Sequence, residues 1–276
     1  MTTTGPTERQ GQLPEAARWR LNDLRQRAES GHRFAATDLS VDEFLLVQAA
    51  GFEPVGMVVG SSVYQLGTQW GQFNQNMELQ VLTQGMYHAR QLAMSRMEAE
   101  AQALGAVGIV GVRLTIRFLV YGTHIGEFTA VGTGVRHKEG QDWRADSGQP
   151  FTSDLDGQGF YKLLSAGFRP LGLVMGNCVY HIAHRSFGNI LRTTGTNAEV
   201  GVFTQALYEA RELAMSRMQA EGERLNASTV VDTKLGISSH TWEPHVEEFL
   251  SLGTAIRPTT GDLTLPKPQL VLGANG

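Results

Sequence analysis

The sequence predicts an α+β protein built from two tandem copies of one domain. Each copy should be a small antiparallel sheet of about three strands, packed on one long helix that follows a shorter helix. A helical segment occurs twice, as YHARQLAMSRM at 87–97 and as YEARELAMSRM at 208–218, with nine of eleven residues identical. The same order of short helix, strand, long helix and two strands surrounds both copies. One sheet against one helix layer is typical of α+β domains.

Composition narrows the class of protein. A chain of 276 residues with 41% hydrophobic and 18% charged residues is an ordinary globular chain long enough for two domains. A net charge of −4 gives no global basic field, so we expect no nucleic-acid partner. The single cysteine excludes intramolecular disulfides and cysteine-rich metal centres.

No segment indicates export or membrane insertion. The first residues, MTTTGPTERQGQ, lack the apolar core of a secretory signal. No apolar run reaches the roughly 18 residues that a spanning helix needs. We therefore expect a cytoplasmic protein without a transmembrane segment.

Each repeat should open with a short helix and a strand. The first repeat opens near Thr37, and a short helix follows in each repeat. The two helices should stop at Gly51 and Gly167, because glycine adopts the left-handed conformation that ends helices. The strands follow at 55–64 and 171–180. Gly60 recurs within the strand as Gly176, which indicates a bulge or a close backbone approach.

The long helix is the repeated segment itself. Asn76 and Asn197 are predicted N-caps, because asparagine accepts hydrogen bonds from the free amides of a first turn. Gly105 and Asn226 suit the left-handed residue after a helix end. A helix over 77–104 would be about 42 Å long.

A hairpin should close each repeat, with strands at 109–120 and 125–136 in the first copy and a return strand at 246–257 in the second. A leader helix is expected over 14–30, docked or partly frayed, with Trp19 and nearby arginines as the only sign of a partner or membrane surface. The predicted divisions are a leader (1–33), a first domain (34–137), a linker (138–150), a second domain (151–258) and an extended tail (259–276).

The apolar arc of the long helix is wider than one sheet needs. Beside the core stripe lie Tyr87, Arg90 and Met94, and the second copy repeats them as Tyr208, Arg211 and Met215. An arc of about 160° exceeds the roughly 100° stripe of a helix that faces one core. We therefore expect these six residues to lie at contacts between domains or subunits.

An arginine inside an apolar arc must find a partner, because an unpaired buried charge is costly. We expect each of the two arginines to bond a carboxylate or helix-end carbonyls. The carboxylates that recur in both repeats are the candidates: Asp38 and Asp154, Glu78 and Glu199, Glu127 and Glu248.

These motifs resemble the YbjQ family of small bacterial proteins, also called the putative heavy-metal-binding domain family. The resemblance rests on LGAVGIVGVR and EFTAVGTGVR, and on recurring helix positions: Ala89, Arg90, Ala93, Met97, Ala210, Arg211, Ala214 and Met218. The second copy departs where it reads LNASTVVDTKL. The resemblance implies a dodecin-like subunit, ring-shaped pentamers and no established enzymatic activity.

Tandem duplication limits how such a ring closes. Whole two-domain chains cannot complete a five-membered ring in one layer, since five is odd. Five chains giving two stacked rings is the expected homo-oligomer. A single ring with an even number of domains is the alternative.

A metal site has weak candidates. His124 and Glu127 form an H-x-x-E pair that recurs as His245 and Glu248, but residues three apart on a strand point to opposite faces. Cys178, His181 and His184 form a second group, without a further ligand at clear spacing. No cofactor is predicted beyond such a metal.

The sequence therefore favours a non-enzymatic, ring-forming assembly protein that binds a partner protein through its loops or termini. A metal- or small-molecule-binding protein with sites at subunit interfaces is the alternative. An enzyme ranks third, because the chain has no GxxxxGK[ST], GxSxG or HExxH motif.

Overall fold

The computed structural model describes residues 13–31, 35–67, 69, 75–118, 125–183, 201–239 and 245–259. The helices within this part are α1 (Glu15–Glu29), α2 (Val41–Ala49), α3 (Gln80–Ala103), α4 (Gly157–Ser165) and α5 (Gly201–Arg224). The strands are β1 (Phe52–Gln65), β2 (Met77–Glu78), β3 (Gly108–Phe118), β4 (Ile125–His137), β5 (Phe151–Thr152), β6 (Phe168–His181), β7 (Thr229–Ser239) and β8 (Val246–Pro258). The α+β class and the repeated order of elements are confirmed.

Two four-stranded sheets form, with strand orders β1-β4-β3-β5 and β2-β6-β8-β7. Each repeat supplies the three long antiparallel strands of one sheet, as predicted. The fourth strand of each sheet comes from the other repeat. β2 pairs antiparallel with β6, and β5 pairs parallel with β3. Two-residue strands carry no periodicity, so the sequence did not reveal this exchange.

The glycine inside the first strand of each repeat marks a close approach of the long helix. A Cβ at Gly60 would overlap the Ala93 carbonyl oxygen on α3, and a Cβ at Gly176 would overlap that of Ala214 on α5. The bulges lie four residues earlier, between Pro54 and Gly56 and at the equivalent position of β6. Of the two interpretations of Gly60, the close approach is therefore the right one.

The predicted start of the first long helix is wrong. α3 begins at Gln80, and its N-cap residue Leu79 makes no side-chain cap hydrogen bond. The two residues before Leu79 form β2 instead, and Asn76 Oδ1 accepts a hydrogen bond from Ala183 N (2.8 Å). At 24 residues, α3 is about 36 Å long. Asn197 lies outside the described residues.

The other predicted helix ends are confirmed. Gly51 and Gly167 follow the short helices with φ of +88° and +80°. Gly105 and Asn226 take φ of +73° and +54° after the long helices. A residue with a positive φ ends a helix because it reverses the chain direction. The backbone amides that follow can then donate to the last carbonyl groups of the helix.

The leader helix is docked. Leu21 is buried, and Arg20 Nη2 donates to Glu100 Oε2 on α3 (2.5 Å). Trp19, 73% exposed, faces solvent. The turn at 121–123 and the tail beyond 259 lie outside the described residues. No helix in the described part of the chain is long and apolar enough to cross a membrane.

The elements stack in four layers, ordered as the first sheet, α3, the second sheet and α5. On β6, the side chains of Cys178 and Tyr180 pack against α5. The odd-numbered side chains Leu173, Met175 and Val179 belong to the core that also contains α3. α3 is therefore covered on one side by its own sheet and on the other by the sheet of the second repeat.

Candidate functional site: the contact between the repeats

An ion pair lies at the centre of the contact between the repeats. Arg90 on α3 is 1% exposed, and its Nη2 donates to Glu248 Oε1 on β8 at 2.7 Å. The Arg90 guanidinium also lies over the Phe128 ring, 5.9 Å from its centroid. Its Nε and Nη1 are buried without a hydrogen-bond partner among the residues that the structure describes. The expectation that Arg90 bonds one of the recurring carboxylates is confirmed, and the carboxylate comes from the other repeat.

Hydrogen bonds between side chains and backbone groups fix the position of α3 on β6. Thr83 Oγ1 accepts from Val179 N (2.9 Å), and Asn177 Nδ2 donates to the Thr83 carbonyl oxygen (3.1 Å). These bonds tie the first turn of α3 to the face of β6 that lies away from α5. Sequence reasoning missed Thr83, although its recurrence as Thr204 was a signal.

Charged groups close the rim of the contact. Arg217 donates to both carboxylate oxygens of Glu78, at 2.7 and 2.9 Å. Tyr87 Oη donates to Glu221 Oε1, and burial together with this carboxylate raises the pKa of Tyr87 to about 12. The bidentate geometry of an arginine and a carboxylate fixes orientation as well as affinity.

Apolar side chains fill the space between these polar groups. Met94 and Met86 on α3 are 6% and 1% exposed. They share one core cluster with Leu173, Met175 and Val179 of the second repeat. Tyr87, Arg90 and Met94 thus all lie where the two repeats meet.

The equivalent face of α5 is open. Tyr208 is 55% exposed and Leu207, the counterpart of Met86, is 36% exposed. Arg211 Nη2 bonds Glu212 Oε1, its neighbour in the chain, at 2.8 Å. The Arg211 guanidinium lies 4.3 Å from the centroid of the Tyr208 ring, and Met215 is half-buried.

The equivalent face of the first sheet is open as well. Val63 is 64% exposed, whereas its counterpart Val179 is fully buried. Met57 is 38% exposed, against 9% for its counterpart Leu173. Glu127 is partly exposed where its counterpart Glu248 is buried. The chain thus contains one closed copy of the helix-on-sheet contact and both halves of a second, open copy.

The metal candidates do not assemble into a centre in the part of the chain that the structure describes. No group of three or more His, Cys, Asp or Glu side chains is placed to hold an ion there. Cys178 is fully buried against α5, and burial raises the pKa of its thiol to about 12. His181 is buried with Nδ1 3.2 Å from the Gln75 carbonyl oxygen, and Glu248 is held by Arg90.

The remaining candidates are not brought together. His245 is exposed, with φ of +64°, and Glu127 lies in the first sheet. His124 and His184 lie outside the described residues. The H-x-x-E pairs therefore gain no third ligand from the described residues.

Two clefts lie beside the contact. One, of about 420 Å³, is lined by Glu78, Tyr87, His88, Arg217, Glu221 and Arg224. The other, of about 440 Å³, contains Glu98, whose pKa burial raises to about 7. A cleft of this size can hold a small molecule.

Comparison with known proteins agrees with the duplication. The family model described as "putative heavy-metal-binding" (YbjQ) matches twice, over residues 55–138 and 168–259. The encapsulin nanocompartment protein Rv1762c of Mycobacterium tuberculosis is 48% identical over 249 residues, which cover 90% of this chain and 94% of the relative.

Two shorter relatives match over a length close to one repeat. A UPF0145 protein of Pseudothermotoga lettingae is 37% identical over 89 residues, which are 32% of this chain and 80% of the relative. A UPF0145 protein of Thermotoga maritima is 35% identical over 89 residues, with the same shares. The chain therefore belongs to the YbjQ family and carries two tandem copies of its domain.

Proposed function

We propose that this protein is a non-enzymatic scaffold that self-assembles in the cytoplasm into a closed ring of several chains. The observation that carries the proposal is the contact between the repeats, which is head-to-tail: the helix of the first repeat packs on the sheet of the second. Such a contact leaves one unmatched surface at each end. Repetition of a head-to-tail contact generates a ring if the rotation closes.

Ring size follows from how the repeats are arranged. The pentameric form that the family resemblance implies requires five chains giving two stacked rings. The head-to-tail contact supports the alternative, a single layer with an even number of domains, because the two repeats lie side by side as consecutive members. Native mass spectrometry distinguishes them by the number of 30.1 kDa chains in the particle. A particle of single chains would contradict both.

We further propose that the ring works with an encapsulin nanocompartment. The support is the relative named an encapsulin nanocompartment protein, whose similarity spans both repeats. The test is co-expression with an encapsulin shell followed by size-exclusion chromatography. Co-elution of the chain with the shells is expected, and elution of the chain apart from intact shells would contradict this part of the proposal.

A metal- or small-molecule-binding protein remains the second candidate. The family description and the cleft beside Tyr87 and Arg217 favour it. Native mass spectrometry with elemental analysis separates the two candidates. A stoichiometric metal retained at neutral pH supports binding, whereas a metal-free ring supports the scaffold.

A further inference from the structure

We infer that the open face of α5 in one chain docks on the outer face of the β1–β4 pair of a second copy of this chain, and that Arg211 pairs there with Glu127 of the partner subunit. The inference rests on the proposed self-assembly. It adds the two surfaces, their polarity and the ion pair at their centre. The model for the contact is the closed copy inside the chain, in which Arg90 pairs with Glu248.

Matched positions show that both open surfaces are built for burial. Val179 and Val63 occupy the same position on β6 and β1, yet only Val63 is exposed, at 64%. Met86 and Leu207 occupy the same position on α3 and α5, yet only Leu207 is exposed, at 36%. Both exposed surfaces keep apolar residues at positions where solvent exposure favours polar ones. A helix and a sheet face that pack as α3 and β6 do would bury them.

The charges on the two surfaces are complementary. Arg211 lies in the helical arc, and among the described residues its carboxylate partner is the adjacent Glu212 alone. Glu127 makes no ion pair within the residues that the structure describes; Arg117, the residue opposite it on β3, is exposed. A partly exposed cation and a partly exposed anion at the two halves of a duplicated contact predict a pair across it.

Arg96 gives an independent indication. Its counterpart Arg217 binds the Asn177 carbonyl oxygen and, in addition, both oxygens of Glu78 from the other repeat. Arg96 binds the equivalent carbonyl, that of Ser61, at 2.5 Å. Among the described residues it has no carboxylate partner, and its buried Nε has no hydrogen-bond partner. At Ser61 of the first sheet, an arginine thus occupies the position that pairs with a carboxylate in the closed copy, but no described residue of the chain provides that carboxylate.

The two surfaces lie at opposite ends of the four layers, so they cannot meet within one chain by a small movement. They also differ from one another, so the contact is heterologous rather than two-fold symmetric. Helix α1 borders this surface: its Arg20 bonds Glu100, as Tyr87 of the first repeat bonds the equivalent Glu221 in the closed copy, while Val63 stays exposed.

The experiment measures assembly by sedimentation velocity for the wild type and for Arg211→Glu, Glu127→Arg and the double variant. Each single reversal is expected to weaken association by at least roughly 30-fold, the effect of losing a desolvated charge pair. The double variant should restore it. Glu139→Arg, in the exposed turn after β4, is the matched control and should assemble like the wild type.

A mixing test shows that the variants are folded and that the contact has a direction. Val63→Asp blocks the sheet face and leaves the α5 face intact, and Arg211→Glu does the reverse. Mixed together, the two should form a 1:1 complex and nothing larger. A wild-type protein that remains single chains would overturn the proposed self-assembly together with this contact. A wild-type ring that Arg211→Glu leaves equally tight would overturn the contact alone.

Discussion

Arg90 and Glu248 belong to different repeats, yet their side chains meet at 2.7 Å and are 1% and 3% exposed. Their counterparts Arg211 and Glu127 lie on open surfaces. The same pair of residues is thus found closed at one place in the chain and separated at another. This asymmetry follows from a head-to-tail contact made once between two copies.

Breaking the closed pair should destabilise the fold strongly. Arg90→Met leaves the Glu248 carboxylate buried without its cation, which typically costs about 3–5 kcal/mol. Urea unfolding at one fixed protein concentration measures the loss. Arg144→Met, which removes a partly exposed partner of Asp142, is the control and should change the free energy of unfolding by less than about 0.5 kcal/mol. A change for Arg90→Met no larger than that of the control would contradict the role of the pair.

The close approach of the long helices to the strands makes Gly60 and Gly176 intolerant of a side chain. An alanine Cβ at Gly176 would overlap the backbone of α5, so the helix must move away from β6. We expect Gly60→Ala and Gly176→Ala each to lower the free energy of unfolding by at least about 2 kcal/mol.

Gly236→Ala on β7 is the matched control for the glycine variants. Its Cβ would lie 3.8 Å from the Leu250 carbonyl oxygen, an ordinary contact. Thermal unfolding of the three variants side by side should separate Gly236→Ala from the other two. Equal melting temperatures for all three variants would contradict the close contact between the long helices and the strands at Gly60 and Gly176.

Glu98 should make stability depend on pH. Burial raises its pKa from 4.5 to about 7 in the folded protein, so the folded state holds a proton that the unfolded state has lost. Stability therefore falls as pH rises through the window between these two values. Glu98→Gln, which places the residue found at the equivalent Gln219, should remove this dependence.

The size of the Glu98 effect follows from about 1.4 kcal/mol for each pKa unit. Relative to the wild type, Glu98→Gln should gain on the order of 3 kcal/mol between pH 4 and pH 8. Chemical denaturation of both proteins across this range measures the difference. If the difference in unfolding free energy between the two proteins stays constant with pH, the pKa of Glu98 is not raised and its carboxyl group is solvated.

Cys178 should be inert in the native protein. Its side chain is fully buried and burial raises the pKa of the thiol to about 12, so both access and thiolate are lacking. Alkylation by iodoacetamide at pH 8 should run at least roughly 100-fold slower than in urea. Mass spectrometry over time gives both rates. Rapid native alkylation would mean that the strand face against α5 opens readily.

Much of the fold could be predicted because the same sequence motifs occur in both repeats. The recurring glycines predicted the ends of the short helices and, on β1 and β6, either a bulge or the close approach that the structure shows. The width of the helical arc and the arginine within it predicted a second neighbour for α3, and the second sheet is that neighbour. Periodicity and recurrence therefore gave the elements and one of their contacts.

The remaining features depend on tertiary structure. Asn76 is a residue type that favours an N-cap, but β2 pairs with β6 and delays the start of the helix by three residues. Three recurring pairs of carboxylates were equally good partners for Arg90, and only the packing of the repeats selects Glu248. Nor could identical motifs show that Tyr87 is covered and Tyr208 exposed, because a single head-to-tail contact covers only one of them.

Native mass spectrometry of the wild-type protein tests the central claim most directly. A closed assembly predicts one particle whose mass is a fixed multiple of 30.1 kDa and does not change on dilution over the micromolar range. A particle of single 30.1 kDa chains, or a ladder of masses that grows with concentration, would contradict a closed ring.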